Sequence, residues 1–315
     1  MKTKIVISEF MDEAAVDMLR DHFELVYDPA LLGKREELLS LVASASALIV
    51  RNQTRVDQTL LAQAPVLKVV GRLGVGLDNI DVPACADQGI EVIPATGANS
   101  LAVAEYVIAA SMMLLRGSFT SSDSVLAGKW PRARLSVGRE TAGKLIGVVG
   151  FGGIGQLVAS MARLMGMRVL AYDPNVPDQA PLWAETGVQP MSLQALVAQA
   201  DVISLHVPLM NNTRNLFDEA LIRQMKPGAV LINTARGGIV SESALVAALR
   251  EGRLGAAALD VFTDEPVRTN SLLVDTPNLM LTPHIAGVTQ ESNVRVSALV
   301  AKRVADSLLK THHSG

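Results

Sequence analysis

The feature that most constrains the fold is an alternation of short β-branched runs with longer Ala- and Leu-rich segments of helical period. Such an alternation is typical of parallel sheets covered by helices on both faces, so we predict an α/β fold. The first series of expected strands comprises Lys4–Glu9, Glu24–Tyr27, Ala47–Val50, Val66–Val70 and Glu91–Ile93. The second series comprises Leu145–Val149, Arg168–Tyr172, Asp201–Val207, Ala229–Asn233, Ala256–Asp260 and Leu279–Leu281.

The two series of strands indicate two domains. A chain of 315 residues is long for one hydrophobic core, and the turn-forming cluster Thr96–Ser100 separates the two series. The helical segment from about Gln290 to Leu309 follows the second series, so we expect it to return to the first domain. We therefore predict two Rossmann-like or flavodoxin-like lobes with a cleft between them, formed by residues 1–98 with 288–315 and by residues 99–287.

The charge, hydropathy and cysteine content of the chain indicate which kinds of partner the protein can bind and in which compartment it works. A net charge of −3 gives no drive toward nucleic acid or anionic membranes. The most apolar helical stretch, Ala102–Leu115, carries Glu105 and is shorter than the ~20 residues that span a bilayer. The N-terminus leads directly into a strand and does not resemble a signal peptide. The single cysteine, Cys85, excludes a disulfide framework and favours a cytoplasmic protein.

A glycine fingerprint predicts a dinucleotide site. Gly150, Gly152 and Gly155 form the pattern G-x-G-x-x-G between an expected strand and a helical run, and Gly153 and Ile154 belong to the same turn. The helix N-terminus there offers N–H groups to a pyrophosphate. Asp173, at the end of the next strand, can accept hydrogen bonds from ribose hydroxyls and would repel a 2′-phosphate. We therefore predict NAD, rather than NADP, as the cofactor.

Two histidines and one arginine are placed for chemistry. His22 belongs to a charged surface helix, and we expect the adjacent tail histidines, His312 and His313, to be solvated rather than metal-binding. The remaining two, His206 and His284, each end an expected strand, where open α/β sheets bind ligands. Further strand ends carry Arg236 and the carboxylates of Asp260–Glu265. A general acid–base and a cation are what the reduction of a 2-keto acid requires, and no metal site is predicted.

Over essentially its whole length the chain resembles the D-isomer-specific 2-hydroxyacid dehydrogenase family, which includes phosphoglycerate dehydrogenases. The resemblance rests on the glycine fingerprint and on five further motifs, which are Gly74–Asp81, His206–Pro208, Thr234–Gly238, Asp260–Pro266 and Pro283–Gly287. It implies that residues 99–287 form the NAD-binding domain and that residues 1–98 with 288–315 form the substrate-binding domain. It also implies a homodimer that assembles through the helical region 100–140.

The same resemblance implies roles for individual residues. Arg236 would bind the substrate carboxylate, His284 would be the general acid–base, and Glu265 would fix the tautomer of His284 and stabilise its protonated form. Formate dehydrogenases of this superfamily pair the histidine with Gln, so Glu265 argues against formate. The side chains and backbone implied to line the dinucleotide are His206, Val207, Pro208, Thr234, Ala235, Arg236, Asp260, His284 and Gly287.

The sequence constrains the identity of the substrate less than it constrains the cofactor and the catalytic residues. The resemblance implies a substrate site built from Arg51, Asn52, Arg72 and the turn of Gly74, Val75 and Gly76. A second arginine at 51, aided by Arg72, Arg132 or Arg134, favours a substrate with a second anionic group. The expected reaction interconverts such a 2-hydroxy acid with its 2-keto acid.

Two anionic substrates fit this expectation, 3-sulfolactate and 3-phosphoglycerate. The chain ends without an appended regulatory domain, and Ile7–Glu13 and Val50–Thr54 resemble the sulfolactate-specific branch, so we favour 3-sulfolactate. Hydroxypyruvate or glyoxylate reduction is a further alternative, although those substrates lack the second charge. A non-enzymatic alternative is an NAD-sensing corepressor that binds protein partners, but the complete set of Arg236, Glu265 and His284 argues against it.

Overall fold

The computed structural model describes residues 2–118 and 121–311. Contacts between Cα atoms divide the chain into two compact units, Met1–Asn99 with Val288–Gly315 and Ser100–Gly287. Each unit has its own sheet and its own buried core. Both sheets are parallel throughout, which confirms the predicted α/β fold.

The first unit is a five-stranded sheet in the order β2-β1-β3-β4-β5. Its strands are β1 (Lys4–Ile7), β2 (Glu24–Tyr27), β3 (Ala47–Val50), β4 (Val69–Arg72) and β5 (Glu91–Pro94). Its helices are α1 (Glu13–His22), α2 (Arg35–Val42), α3 (Gln58–Ala62) and α4 (Val82–Asp87), with a 3-10 turn at Pro29–Gly33. The C-terminal helix, Gln290–Thr311, packs on α1 and β4. Its Val300 and Val304 lie so close to Gly71 that a β-carbon there would be 2.8 and 2.9 Å from them.

The second unit is a seven-stranded sheet in the order β12-β11-β10-β9-β6-β7-β8. Its strands are β6 (Leu145–Val149), β7 (Arg168–Tyr172), β8 (Gln189–Pro190), β9 (Val202–Leu205), β10 (Val230–Asn233), β11 (Ala256–Leu259) and β12 (Leu279–Leu281). Its helices are α5 (Ser100–Arg116), α6 (Ser121–Leu126), α7 (Arg132–Leu135), α8 (Gly153–Leu164), α9 (Pro181–Thr186), α10 (Leu193–Gln199), α11 (Glu219–Gln224) and α12 (Glu242–Arg250).

The strand order of the second unit fixes where a ligand can bind. The chain adds β7 and β8 on one side of β6 and then returns to add β9 through β12 on the other side. In open parallel sheets, ligands bind at such a switch point, outside the carboxyl ends of the strands. The loops that follow β6 and β9 therefore define the binding edge of this sheet.

One predicted strand is shifted in the structure, and one strand was missed. The fourth strand was expected at Val66–Val70 but lies at Val69–Arg72, because the Leu67 N–H closes a turn onto the Ala64 carbonyl and leaves Val66 47% exposed. The short edge strand β8 was not expected, since two residues carry no periodic signal. The two tail histidines lie outside the described residues. In the described part of the chain, no helix is both long enough and apolar enough to cross a membrane.

Candidate active site

The glycine turn joins β6 to α8 and leaves open space before the helix N-terminus. Gly150 has φ +94°, and a β-carbon there would lie 2.6 Å from the His206 carbonyl oxygen, so only glycine fits. A β-carbon on Gly155 would collide with the Gly150 carbonyl oxygen, so the helix packs directly on the turn. By contrast, a β-carbon on Gly152 or Gly153 would meet no atom within 4 Å. The first turn of α8, which also has no side-chain cap, therefore presents its N–H groups to an open surface.

Asp173 ties this turn to the end of β7. Its Oδ2 accepts a hydrogen bond of 2.8 Å from the Phe151 N–H, and its Oδ1 accepts one of 2.9 Å from the Asn175 N–H. A carboxylate oxygen has more than one acceptor site, so both oxygens can still accept from a ligand hydroxyl. The carboxylate also borders a cavity of about 610 Å³, whose wall includes Trp183 stacked on Phe151 at 4.8 Å between ring centroids. This space suits the adenosine end of a dinucleotide.

His206 follows β9 and closes the other side of the glycine turn. Its Nε2 lies 2.9 Å from the Ser204 hydroxyl, and its carbonyl oxygen contacts Gly150 as described above. Burial lowers the pKa of His206 to about 4, so the ring is neutral at pH 7. A neutral imidazole is a weaker acid than an imidazolium, so His206 is poorly suited to donate a proton. Its position beside the glycine turn agrees with the expectation that His206, Val207 and Pro208 line the nucleotide.

The loop after β10 is folded by the Asn233 side chain. The Asn233 amide donates to the Arg236 carbonyl oxygen at 2.9 Å and accepts from the Ala235 N–H at 3.0 Å. The Thr234 hydroxyl is buried in this loop without a hydrogen-bond partner among the described residues. An orphaned buried hydroxyl costs free energy, so it is the kind of group that a bound ligand satisfies. This observation fits the implied position of Thr234 and Ala235 against the cofactor.

His284 and Glu265, which were expected to act together, form a hydrogen-bonded pair in the second unit. His284 Nδ1 lies 2.8 Å from Glu265 Oε2, and Glu265 Oε1 accepts from the Phe262 N–H at 3.0 Å. Burial alone would raise the pKa of Glu265, but the hydrogen bonds from His284 and Phe262, with the charges of His284 and Arg236, lower it overall. Glu265 is therefore an anion at neutral pH, and Arg236 lies close enough to act on its charge.

The backbone of His284 adopts a left-handed conformation, with φ +56°. Its N–H donates to the Asp260 carbonyl oxygen at 2.9 Å. The Asp260 side chain, only 1% exposed, accepts from the N–H groups of Ile285 and Ala286, both at 2.8 Å. These contacts show that the Asp260 carboxylate holds the loop that carries His284 and ends at Gly287. The expected position of Asp260 near the cofactor stays a prediction.

The expected substrate residues lie in the first unit at the ends of β3 and β4. The Arg51 guanidinium donates to the Asn293 side chain at 2.6 Å and lies 5.8 Å from the centroid of the Phe10 ring. Burial lowers the pKa of Arg51, and the Glu9 carboxylate opposes this shift. Arg72 is the last residue of β4 and is followed by the turn of Gly74, Val75 and Gly76. Arg51 and Asn52 follow the neighbouring strand β3, whose last residue, Val50, pairs with Arg72. Parallel pairing thus brings both arginines to one edge of this sheet.

Several residues that organise these loops were not expected from sequence. Glu9, 5% exposed, accepts hydrogen bonds from the backbone N–H groups of Arg51, Gln53 and Thr54. Tyr106, on α5, contacts the loop of His284 through Thr282. A buried carboxylate and an isolated tyrosine carry no periodic signal, so only the fold reveals these contacts.

Comparison with known proteins identifies the class that this site defines. Residues 108–286 match the family described as D-isomer specific 2-hydroxyacid dehydrogenase, NAD binding domain. The chain belongs to that family. It is accordingly an oxidoreductase that uses NAD, and the open glycine turn, Asp173 and the orphaned Thr234 hydroxyl fit this cofactor.

Particular relatives are similar over nearly the whole chain. The chain is 52% identical over 304 residues to the (S)-sulfolactate dehydrogenase of Chromohalobacter salexigens, covering 96% of this chain and 98% of that protein. It is 38% identical to the D-3-phosphoglycerate dehydrogenase of Synechocystis, covering 97% of this chain but only 54% of that protein. The crystal structure of the TT0316 protein from Thermus thermophilus superposes with a TM-score of 0.87 at 32% identity, covering 98% of this chain and 97% of that one. The chain thus spans about half the length of the phosphoglycerate dehydrogenase.

Proposed function

We propose that this protein interconverts 3-sulfolactate and its 2-keto acid, sulfopyruvate, with NAD as the hydride carrier. The observation that carries the proposal is the 52% identity to an (S)-sulfolactate dehydrogenase over almost the full length of both chains. The substrate is a 2-hydroxy acid with a second anion, which agrees with two arginines at the sheet edge of the first unit. The second candidate, 3-phosphoglycerate, is supported by the 38% identity to a phosphoglycerate dehydrogenase.

The proposed chemistry uses His284 as the proton donor in reduction. When bound, the cofactor supplies or accepts the hydride at C2 of the substrate. His284 directs Nδ1 to Glu265 at 2.8 Å, so Nδ1 carries a proton and Nε2 is the ring atom that exchanges a proton with the substrate oxygen. Glu265, ionised because its pKa is lowered, stabilises the imidazolium form. Arg236 binds the substrate carboxylate and polarises the C2 carbonyl.

A steady-state screen of NADH oxidation tests the substrate. The panel is sulfopyruvate, phosphohydroxypyruvate, hydroxypyruvate and glyoxylate, and we expect sulfopyruvate to give a kcat/KM at least about tenfold above the others. A higher value with phosphohydroxypyruvate would assign the second candidate instead. Activity confined to hydroxypyruvate or glyoxylate would reject the two-anion substrate.

Two variants test the assigned residues. His284→Ala should lower kcat by about 10² to 10⁴ because the proton donor is lost, while the Kd for NADH stays the same. Arg51→Ala should raise KM for sulfopyruvate more than for pyruvate, since only the former carries the second anion. Asn293→Ala is the matched control for Arg51, because it removes the partner of the guanidinium without removing its charge. Equal KM changes for both substrates in Arg51→Ala would remove Arg51 from the substrate site.

We also propose a homodimer, formed through the region of α6 and α7. This region carries three of the most exposed apolar side chains, Leu126 at 87%, Val137 at 81% and Trp130 at 76%. Exposed apolar groups gathered in one segment favour a protein interface. Trp130→Glu should halve the mass measured by light scattering, and Leu272→Glu, at an exposed site elsewhere in the same unit, should not. A wild-type monomer would refute the dimer.

The location that we propose is the cytoplasm, where NAD is available. The buried free thiol of Cys85 supports a reducing compartment. Burial, with the nearby charge of Asp81, raises the pKa of this thiol, so it is not a reactive nucleophile. Fractionation of the source cells, with the NADH-dependent activity as the readout, tests the location. Activity recovered outside the cytoplasmic fraction would overturn it.

A further inference from the structure

A chain of two hydroxyl groups links α5 to the loop that carries His284. The Tyr106 hydroxyl oxygen lies 2.6 Å from Thr282 Oγ1, and Thr282 Oγ1 lies 2.6 Å from Asp260 Oδ1. Tyr106 is 176 residues from Thr282 in sequence. The two side chains meet because α5, which carries Tyr106, packs against β10 and β11 of the second sheet.

The direction of the hydrogen bonds in this chain follows from the number of protons. The Asp260 carboxylate accepts from two backbone N–H groups and can only accept from Thr282 as well. Thr282 has one hydroxyl proton and gives it to Asp260, so the remaining short contact requires Tyr106 to donate to Thr282. Burial and the charge of Asp260 raise the pKa of Tyr106, against the effect of the Thr282 hydrogen bond, so the phenol keeps the proton it must donate.

The carboxylate at the end of this chain holds the loop of His284 in place. Asp260 Oδ1 accepts from both Thr282 and the Ile285 N–H, and Oδ2 accepts from the Ala286 N–H. These three donors lie on both sides of His284, whose φ of +56° is unfavourable for a residue with a side chain. Surrounding contacts must therefore maintain that conformation, and the Thr282 hydroxyl is the one side-chain donor among the three.

We propose that Thr282 and Tyr106 are positioning residues for the proton-transfer step. They orient the Asp260 carboxylate, which holds the backbone of His284 so that Nδ1 meets Glu265 and Nε2 meets the substrate oxygen. The proposal rests on the proposed function of His284 as the acid–base. It assigns to two side chains a role in turnover that they exert through Asp260. Thr282 should matter more than Tyr106, because Thr282 donates to Asp260 itself.

Four variants separate this role from simple packing. Thr282→Val keeps the shape of the side chain and removes the hydroxyl, Thr282→Ser keeps the hydroxyl and removes a methyl group, and Tyr106→Phe removes only the outer donor. His284→Ala reports the loss of the acid–base itself. The measurements are kcat and KM with NADH and sulfopyruvate, the Kd for NADH from fluorescence, and the melting temperature.

We expect the variants to lower kcat by different amounts. Thr282→Val should lower kcat about 10- to 100-fold, because a small misplacement of a catalytic group costs about this much, with KM changed less than about threefold. Tyr106→Phe should lower kcat by less than Thr282→Val, and Thr282→Ser should stay within about threefold of the wild type. The Kd for NADH should change far less than kcat in all three variants. Equal losses in Thr282→Val and Thr282→Ser, or a loss that merely follows the melting temperature, would overturn the proposal.

A spectroscopic test does not depend on the substrate. In cofactor-free protein labelled with ¹⁵N-histidine, the Nδ1 proton that bridges His284 and Glu265 should give a downfield resonance that is missing in His284→Ala. We expect this resonance to shift or to exchange with water in Thr282→Val and to return in Thr282→Ser. An unchanged resonance in Thr282→Val would refute the positioning role. Full turnover by His284→Ala would instead refute the proposed function, so the two failures are distinguishable.

Discussion

Replacing Glu265 by glutamine tests the electrostatic part of the site most directly. The substitution preserves the size of the side chain and one oxygen that can accept a hydrogen bond from His284 Nδ1–H. It removes the negative charge and replaces the oxygen that accepts from the Phe262 N–H with an amide donor. The imidazolium that forms or reacts during turnover then has no counter-ion at 2.8 Å. Turnover should fall because the charged form of His284 is destabilised, whereas the cofactor site, formed by other strand ends, should be unaffected.

The size of the effect follows from the separation and the exposure of the pair. Two unit charges 2.8 Å apart attract each other by about 1.5 kcal/mol in a water-like dielectric of ~80 and by about 6 kcal/mol at an effective dielectric of ~20. The His284 and Glu265 side chains are 37% and 35% exposed, so solvent screens the pair and the lower part of this range applies. About 2 to 3 kcal/mol corresponds to a loss of about 30- to 160-fold in kcat.

The assay is the steady-state reduction of the keto acid between pH 6 and 8. Because the pKa of Glu265 is lowered, the carboxylate is ionised throughout this range, so at every pH tested the wild type has the counter-ion that Glu265→Gln lacks, and the deficit should be present across the whole range. Asp264→Asn is the matched control, since it removes one charge at the exposed neighbouring position. A kcat for Glu265→Gln within about threefold of the wild type, or an equal loss in Asp264→Asn, would refute the electrostatic reasoning.

Three further predictions concern the cofactor and the stability of the second unit. Asp173→Asn keeps an acceptor for the Phe151 N–H but removes the charge that repels a 2′-phosphate. The ratio of kcat/KM with NADPH to kcat/KM with NADH should therefore rise about tenfold or more, and an unchanged ratio would contradict the role of Asp173. His206 is neutral in the folded protein down to about pH 4, whereas in the unfolded chain it is protonated below about pH 6.5. The free energy of unfolding of the wild type should therefore fall by up to about 3 kcal/mol as the pH is lowered through that window, and that of His206→Gln should fall by less. Lys226 pairs at 2.7 Å with the buried Asp201, so Lys226→Met should destabilise the unit by about 1 to 3 kcal/mol at pH 7. Because the pKa of Asp201 is lowered, that deficit should shrink only below about pH 4. As a control, Arg223→Ala removes exposed ion pairs with Glu219 and Glu251 and should leave the melting temperature unchanged.

Most of the fold could be predicted from local patterns. The bounds of the strands at Glu24–Tyr27, Ala47–Val50, Leu145–Val149 and Arg168–Tyr172 agree with the structure because each is a compact apolar run between clear breaks. The two-residue edge strand β8 and the shift of the fourth strand could not be predicted, because local hydrogen bonding rather than hydrophobic period decides them.

In the candidate site, too, some features could be predicted from the sequence and others depend on the tertiary structure. Sequence alone determined that a glycine turn follows a strand, that Asp173 follows the next strand, and that Arg236, Glu265 and His284 stand at or after the ends of later strands, since these are properties of neighbouring residues. Only the tertiary structure decided that His284 meets Glu265 at 2.8 Å and that Tyr106 reaches Thr282 across 176 positions. The physical reason is that hydrogen bonds act over about 3 Å, and the packing of parallel strands and helices, not distance along the chain, determines which groups come that close.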